Sequence, residues 1–167
     1  VPGFKGPLSA EKFAGGQSNP TYKLTADSGE YVLRRKPPGQ LLQSAHAVDR
    51  EFKAMSALQN TNVPVATPLA LCEDDDVIGS MFYVMEFMPG RTFWDARLPD
   101  QSKDERAAIY DAMNQVLADL HSVDYKAVGL ADYGKPGNYF ERQVSRWTKQ
   151  YRASETDRVE AMETLIE

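Results

Sequence analysis

Cysteine is almost absent from this chain: Cys72 is the single one among 167 residues. With one thiol no internal disulfide framework can form, and a reducing compartment is the simple expectation. Histidine is nearly as scarce, at two residues. Both stand apart from other ligating side chains, so the pattern gives no transition-metal centre. No apolar run approaches the roughly 20 residues that a membrane span needs. The first residues lack the charged-then-apolar order of a signal peptide, although a targeting segment could precede Val1, and a cytoplasmic protein is expected. Positive charge is not in excess either. Lys and Arg total 19 against 24 Asp and Glu, a net charge of −5, so neither nucleic acid nor an acidic membrane surface is an expected partner. No Gly-Lys-Ser/Thr sequence follows a glycine turn, which excludes a Walker-type phosphate loop. No Ser/His/Asp or Cys/His arrangement stands out.

What remains is ordinary globular material. Hydrophobic residues make up 42% and charged residues 26% of the chain, typical of a packed soluble fold. The length suits one domain or two small lobes.

The first third has strand character. Thr21 to Thr25 and Glu30 to Arg34 flank Asp27-Ser28-Gly29, which reads as a β-hairpin. Pro37-Pro38-Gly39 ends the second strand, because proline supplies no ladder donor. A helix follows in which Val48, Phe52, Met55 and Leu58 share one face. On that helical projection His46 falls on the opposite, solvated side. Leu69 to Cys72 and Met81 to Met85 read as a second strand pair, and the acidic run Glu73 to Asp76 between them is either a metal site or a solvated hairpin tip. After Pro89-Gly90 the pattern turns helical, and the lobe boundary is expected there, dividing the chain into 1–89 and 90–167. Ser102-Lys103-Asp104-Glu105 fits a capping box, leading into a stripe of Ile109, Met113, Val116, Leu117 and Leu120. Phe140, Val144, Trp147 and Tyr151 share the face of a further helix and read as core rather than a ligand platform; Arg142, Arg146 and Lys149 on its other side could face a phosphate or acyl-CoA-like anion. Val159, Met162 and Ile166 mark a last amphipathic piece.

Three groups of residues could carry chemistry. Gly15-Gly16-Gln17-Ser18-Asn19 forms a turn between strand-like segments. Glycine there would let backbone N–H groups approach phosphate oxygens, with Ser18 and Asn19 adding side-chain donors; a plain hairpin turn is the alternative. Glu51 lies within the apolar stripe of its helix, and a carboxylate facing a core needs a cation. Arg34, on the Val32 side of its strand, could meet it there and also touch phosphates; the alternatives are a purely structural ion pair or a carboxylate at the edge of the stripe. Met85-Glu86-Phe87-Met88 runs from a buried strand into Pro89-Gly90. Backbone groups past such a strand end are free to hydrogen-bond an adenine edge; on its own the pattern is only a strand end. His121, at a helix end, suits a structural role beside the helix dipole.

Taken in order, these segments resemble the aminoglycoside phosphotransferase/choline kinase-like superfamily. More narrowly, they are similar to the phosphotransferase domain fused to some acyl-CoA dehydrogenases and its free-standing bacterial relatives. The resemblance rests on Gly16 to Tyr22, Tyr31 to Gly39, Asp49 to Phe52, Val77 to Gly79, Phe82 to Glu86 and Val128 to Lys135. It implies an α+β, protein-kinase-like fold: an antiparallel-sheet N-lobe with one main helix, then the first helices of an α-helical C-lobe. It further implies ATP and Mg²⁺ as cofactors and a small-molecule hydroxyl as acceptor, with a hydroxyacyl-CoA suggested by the narrower likeness. Gln17, Ser18 and Asn19, beside Gly16, would cover the phosphates. Arg34 would replace the usual strand lysine and Glu51 would anchor it. Met85 would line the adenine pocket, with the Glu86 carbonyl and the Met88 N–H meeting the base. Arg35 or Lys36 would take the cation role if the register shifts. The His-Gly-Asp-type loop, its Asn and the metal-binding Asp of the family have no match here. They are expected beyond Glu167, so the Mg²⁺ ligands would lie outside this chain and no catalytic residue is named within it. The rival readings are a non-catalytic nucleotide-binding lobe acting through a partner, and an α+β interaction module without a nucleotide site.

Overall fold

The computed structural model describes residues 1–14, 19–37 and 46–166. Gly15, Gly16, Gln17 and Ser18 of the expected phosphate turn, and Pro38-Gly39 of the strand stop, lie outside them. The chain divides into two units, Val1–Ala131 and Asp132–Glu167.

The first unit is built on five antiparallel strands: β1 (Leu8–Lys12), β2 (Thr21–Ala26), β3 (Gly29–Arg35), β4 (Pro68–Cys72) and β5 (Phe82–Glu86), in the order β1-β2-β3-β5-β4. Helix α1 (Val48–Leu58) crosses between β3 and β4. The β2–β3 hairpin closes tightly because Ala26 pairs with Gly29, and Gly29 has φ 137°, a conformation that favours glycine. Phe52 of α1 meets Tyr83 of β5 with ring centroids 6.1 Å apart. Val48 is fully buried, and Leu24, Val32, Val63, Tyr83 and Val84 are buried with it. A five-stranded antiparallel sheet with one main helix is the N-lobe architecture that the resemblance implies.

Strand register decides what the sheet presents. Directly opposed residues of an antiparallel pair point to the same face, and alternate residues share it. Arg34 lies opposite both Thr21 and Tyr83, and Val32 lies opposite both Lys23 and Met85. One face therefore carries two adjacent rows, Thr21–Arg34–Tyr83 and Lys23–Val32–Met85. Arg35, opposite Phe82, belongs to the other face.

Past β5 the first unit continues into α2 (Lys103–His121), which starts on the expected capping box. Ser102 Oγ accepts from the Glu105 N–H at 3.2 Å, and the Ser102 N–H donates to Glu105 Oε2 at 2.9 Å. The stripe on α2 is helical as expected, yet Met113, Val116, Leu117 and Leu120 are exposed. The second unit holds α3 (Tyr139–Ser154) and α4 (Glu160–Ile166). Its periodicity is also as read, but Phe140, Val144 and Trp147 are exposed rather than forming core. Spacing makes a helix amphipathic; burial requires a second surface. Among the described residues no helix is long and apolar enough to cross a membrane.

Candidate nucleotide site

Glu51 accepts from three different side chains. Arg34 Nε donates to Oε2 at 2.7 Å and Arg34 Nη2 to Oε1 at 3.4 Å. Tyr83 Oη donates to Oε2 at 2.9 Å, and Asn19 Nδ2 to Oε1 at 3.0 Å. The acidic residue read as interrupting the apolar stripe is half-buried, and Arg34 is the cation that meets it. Each of the two side chains keeps about a third of its surface exposed, at 32% and 35%. An ion pair so placed is partly screened and adds modest net stability. Its stronger effect is orientational, because a bidentate carboxylate fixes the plane of the guanidinium. Tyr83 feels the carboxylate as well. Burial first, then the neighbouring Glu51 charge and hydrogen bond, push its phenol well above the ordinary value, against an opposing effect from Arg34.

The pair reaches a cleft through Thr21. Arg34 Nη1 donates to Thr21 Oγ1 at 3.1 Å, and Thr21 lines a cavity of about 480 Å³ together with Phe13, Val32, Met85, Glu86 and Met88. Val32 and Met85 belong to the row next to Arg34, so register alone aims the cation and the apolar floor at one place. Among the described residues the Met88 N–H has no hydrogen-bond partner. The Glu86 N–H donates to the Thr67 carbonyl at 2.9 Å, and its carboxylate accepts from Thr67 Oγ1 at 2.8 Å.

Several readings change in detail. Asn19 is 4% exposed, and its amide is engaged at both ends, by Glu51 and by His46 Nδ1 at 2.8 Å. His46 is not on the solvated side of a helix. It precedes α1 with φ 61°, so the helical projection does not extend to it. Arg35 turns to the opposite face, where Nε donates to Ser80 Oγ at 2.9 Å and Ser80 Oγ donates to the Lys36 carbonyl at 3.0 Å; Arg34 is the arginine that meets Glu51. Asp74 to Asp76 are exposed in the β4–β5 turn, with Asp74 Oδ1 accepting from the Asp76 N–H at 2.9 Å. Gly16, Gln17 and Ser18 lie outside the described residues. Tyr83, Thr21 and His46 are the contributors that sequence reasoning missed. For Tyr83 and Thr21 the available signal was strand register, both falling on the Arg34 row.

These features coincide with a known family. The profile of the APH family, the phosphotransferase enzyme family, matches residues 9–167, and the chain belongs to that family. It is 53% identical over 162 residues to mouse acyl-CoA dehydrogenase family member 10, covering 97% of this chain and 15% of that protein. It is 48% identical over 169 residues to mouse acyl-CoA dehydrogenase family member 11, covering 99% of this chain and 22% of that protein. Among solved structures it matches a Ralstonia eutropha JMP134 protein provisionally named an aminoglycoside phosphotransferase. That match has a TM-score of 0.82 and 56% identity, and covers 99% of this chain and 48% of the other. The chain thus spans less than a fifth of the first protein and about half of the solved one, although nearly all of this chain is matched in each.

Proposed function

We propose that this chain is the nucleotide-gripping part of an ATP-dependent small-molecule phosphotransferase, which moves the γ-phosphate to a substrate hydroxyl. The observation that carries the reading is the Arg34–Glu51 pair, linked through Thr21 to the rim of an apolar cleft. Phosphoryl transfer depends on positioning and charge neutralisation. A forked cation held by a carboxylate suits that task. Adenine would sit against Val32 and Met85, with the backbone at Glu86 and Met88 meeting its edge. Gly16, Gln17 and Ser18 would cover the phosphates, and Asn19 with Glu51 would hold Arg34 toward them. Mg²⁺, when bound, would supply charge neutralisation at the phosphates; the carboxylates that would hold it are expected outside this chain, and among the described residues no acidic cluster forms such a site.

The acceptor would be a hydroxyl carried on an acyl-CoA thioester. This finer reading is supported by the names of two similar proteins, acyl-CoA dehydrogenase family members 10 and 11.

The test has two parts. Calorimetry of the chain with ATP should detect binding, and Arg34→Met should weaken it at least about 10-fold, or 1.4 kcal/mol. No binding by a chain shown to be folded overturns the nucleotide reading. Transfer from γ-labelled ATP to hydroxyacyl-CoA thioesters is then assayed with whatever the reading frame encodes on either side. ATP binding without transfer to any hydroxyl would leave a nucleotide-binding lobe and remove the enzyme.

A further inference from the structure

Arg34 has five N–H donors. Glu51 occupies the Nε and Nη2 side of the fork, and Thr21 takes one donor of Nη1. Among the described residues, one N–H on each terminal nitrogen is therefore left over for an incoming anion. Where those donors point depends on the plane of the Glu51 carboxylate. That plane is set from behind, by Tyr83 on Oε2 and Asn19 on Oε1.

Asn19 transmits a definite polarity. An ionised carboxylate only accepts, so the Asn19 NH₂ must face Glu51 and its Oδ1 must face the other way. There Oδ1 lies 2.8 Å from His46 Nδ1. An amide oxygen cannot donate, so Nδ1 carries the proton. His46 holds this position with φ 61°, which is costly for a residue with a Cβ, by about 1 kcal/mol. α1 follows with Ala47 as its N-cap and no side-chain cap, and the Val48 N–H donates to the His46 carbonyl at 2.9 Å.

We propose that His46 is a positioning residue for nucleotide binding: through Asn19 it fixes the Glu51 carboxylate, and thereby aims the open edge of Arg34 at the phosphates. The proposal rests on the nucleotide reading above, and goes beyond the expectation of a solvated histidine. Asparagine is the conservative replacement, since its NH₂ can stand where Nδ1 stands and it tolerates the left-handed backbone. Glutamine would carry its donor toward the Nε2 position instead.

ATP affinity is measured by calorimetry on the full chain and on Arg34→Met, His46→Asn, His46→Gln and His46→Ala, with melting temperatures in parallel. The expected result is near-parental affinity for His46→Asn, and a weakening of about 10-fold for His46→Gln and His46→Ala in the folded protein. If Arg34→Met binds as the parent does, the nucleotide reading fails. If Arg34→Met is weakened while His46→Gln and His46→Ala bind as tightly as the parent, the positioning role fails and that reading stands. Long-range proton–nitrogen spectra of the parent chain provide a second readout that needs no variant to fold. Neutral His46 should be protonated at Nδ1; protonation at Nε2 alone overturns the proposal.

Discussion

The two units of this chain use the same alphabet of amphipathic elements to different ends. In the sheet and α1, apolar side chains are covered and polar ones are gathered: Val48 is fully buried, and Glu51, one turn on, holds three donors. In α3, Phe140 and Trp147 are 83% and 64% exposed, although their spacing is as regular as that of α1. Periodicity specifies which face asks for cover. It does not specify what provides it, and only where a second element is present does a stripe become a core.

The sharpest test of that contrast is Val48→Ala. Removing two methyl-sized groups from a closed site should cost about 2 kcal/mol and lower the urea midpoint without changing the slope. A cost below 0.5 kcal/mol, the level of a surface change, would erase the distinction between the units.

Tyr83→Phe should have a somewhat smaller effect, about 1.5 kcal/mol near neutral pH, the low end for one hydrogen bond to a charged acceptor. Its pH signature carries more information. The folded phenol titrates above its unfolded value, so its neutral form is favoured in the native state. That contribution is complete below pH 10 and is lost as the pH rises above 10 toward the folded value, at no more than about 1.4 kcal/mol per pH unit. Tyr83→Phe should therefore show a shallower alkaline loss of stability than the parent. Parallel alkaline curves would show that Tyr83 is not coupled to Glu51.

The smallest effect is expected at Trp147→Ser, within about 0.5 kcal/mol because the ring is already largely exposed. A loss of 2 kcal/mol there, read by the same denaturant curves, would show that α3 is covered after all.

Where sequence and structure agree, the physical cause is local. The β2–β3 hairpin was legible from Asp27-Ser28-Gly29, and α2 from the reciprocal bonds of Ser102 and Glu105, because both signals lie within a few residues of what they specify. Glu51 was legible for another reason: it is the carboxylate that interrupts an apolar stripe, so a partner had to exist. Tyr83 gave no such sign. It sits in Phe82-Tyr83-Val84-Met85, where every side chain suits a buried strand, and only register against Arg34 separates it from its neighbours. His46 was misread because helical projection assumes helical backbone, and the chain leaves that conformation at this residue. The exposed stripes of α2 and α3 were read correctly as stripes. Their cover is a long-range property that no local pattern contains.

The carboxylate of Glu51 also constrains how this region can change over time. Asn19, Arg34 and Tyr83 come from separate segments and meet on one carboxylate: Asn19 on Oε1, Tyr83 on Oε2 and Arg34 on both. Substitutions at such sites do not add, and coupling of the order of 1 kcal/mol or more is usual among residues of one network. Losing any one of the three alters what the other two can tolerate. A replacement at one of them is therefore expected to be tolerated better when a partner is changed with it than when it is made alone.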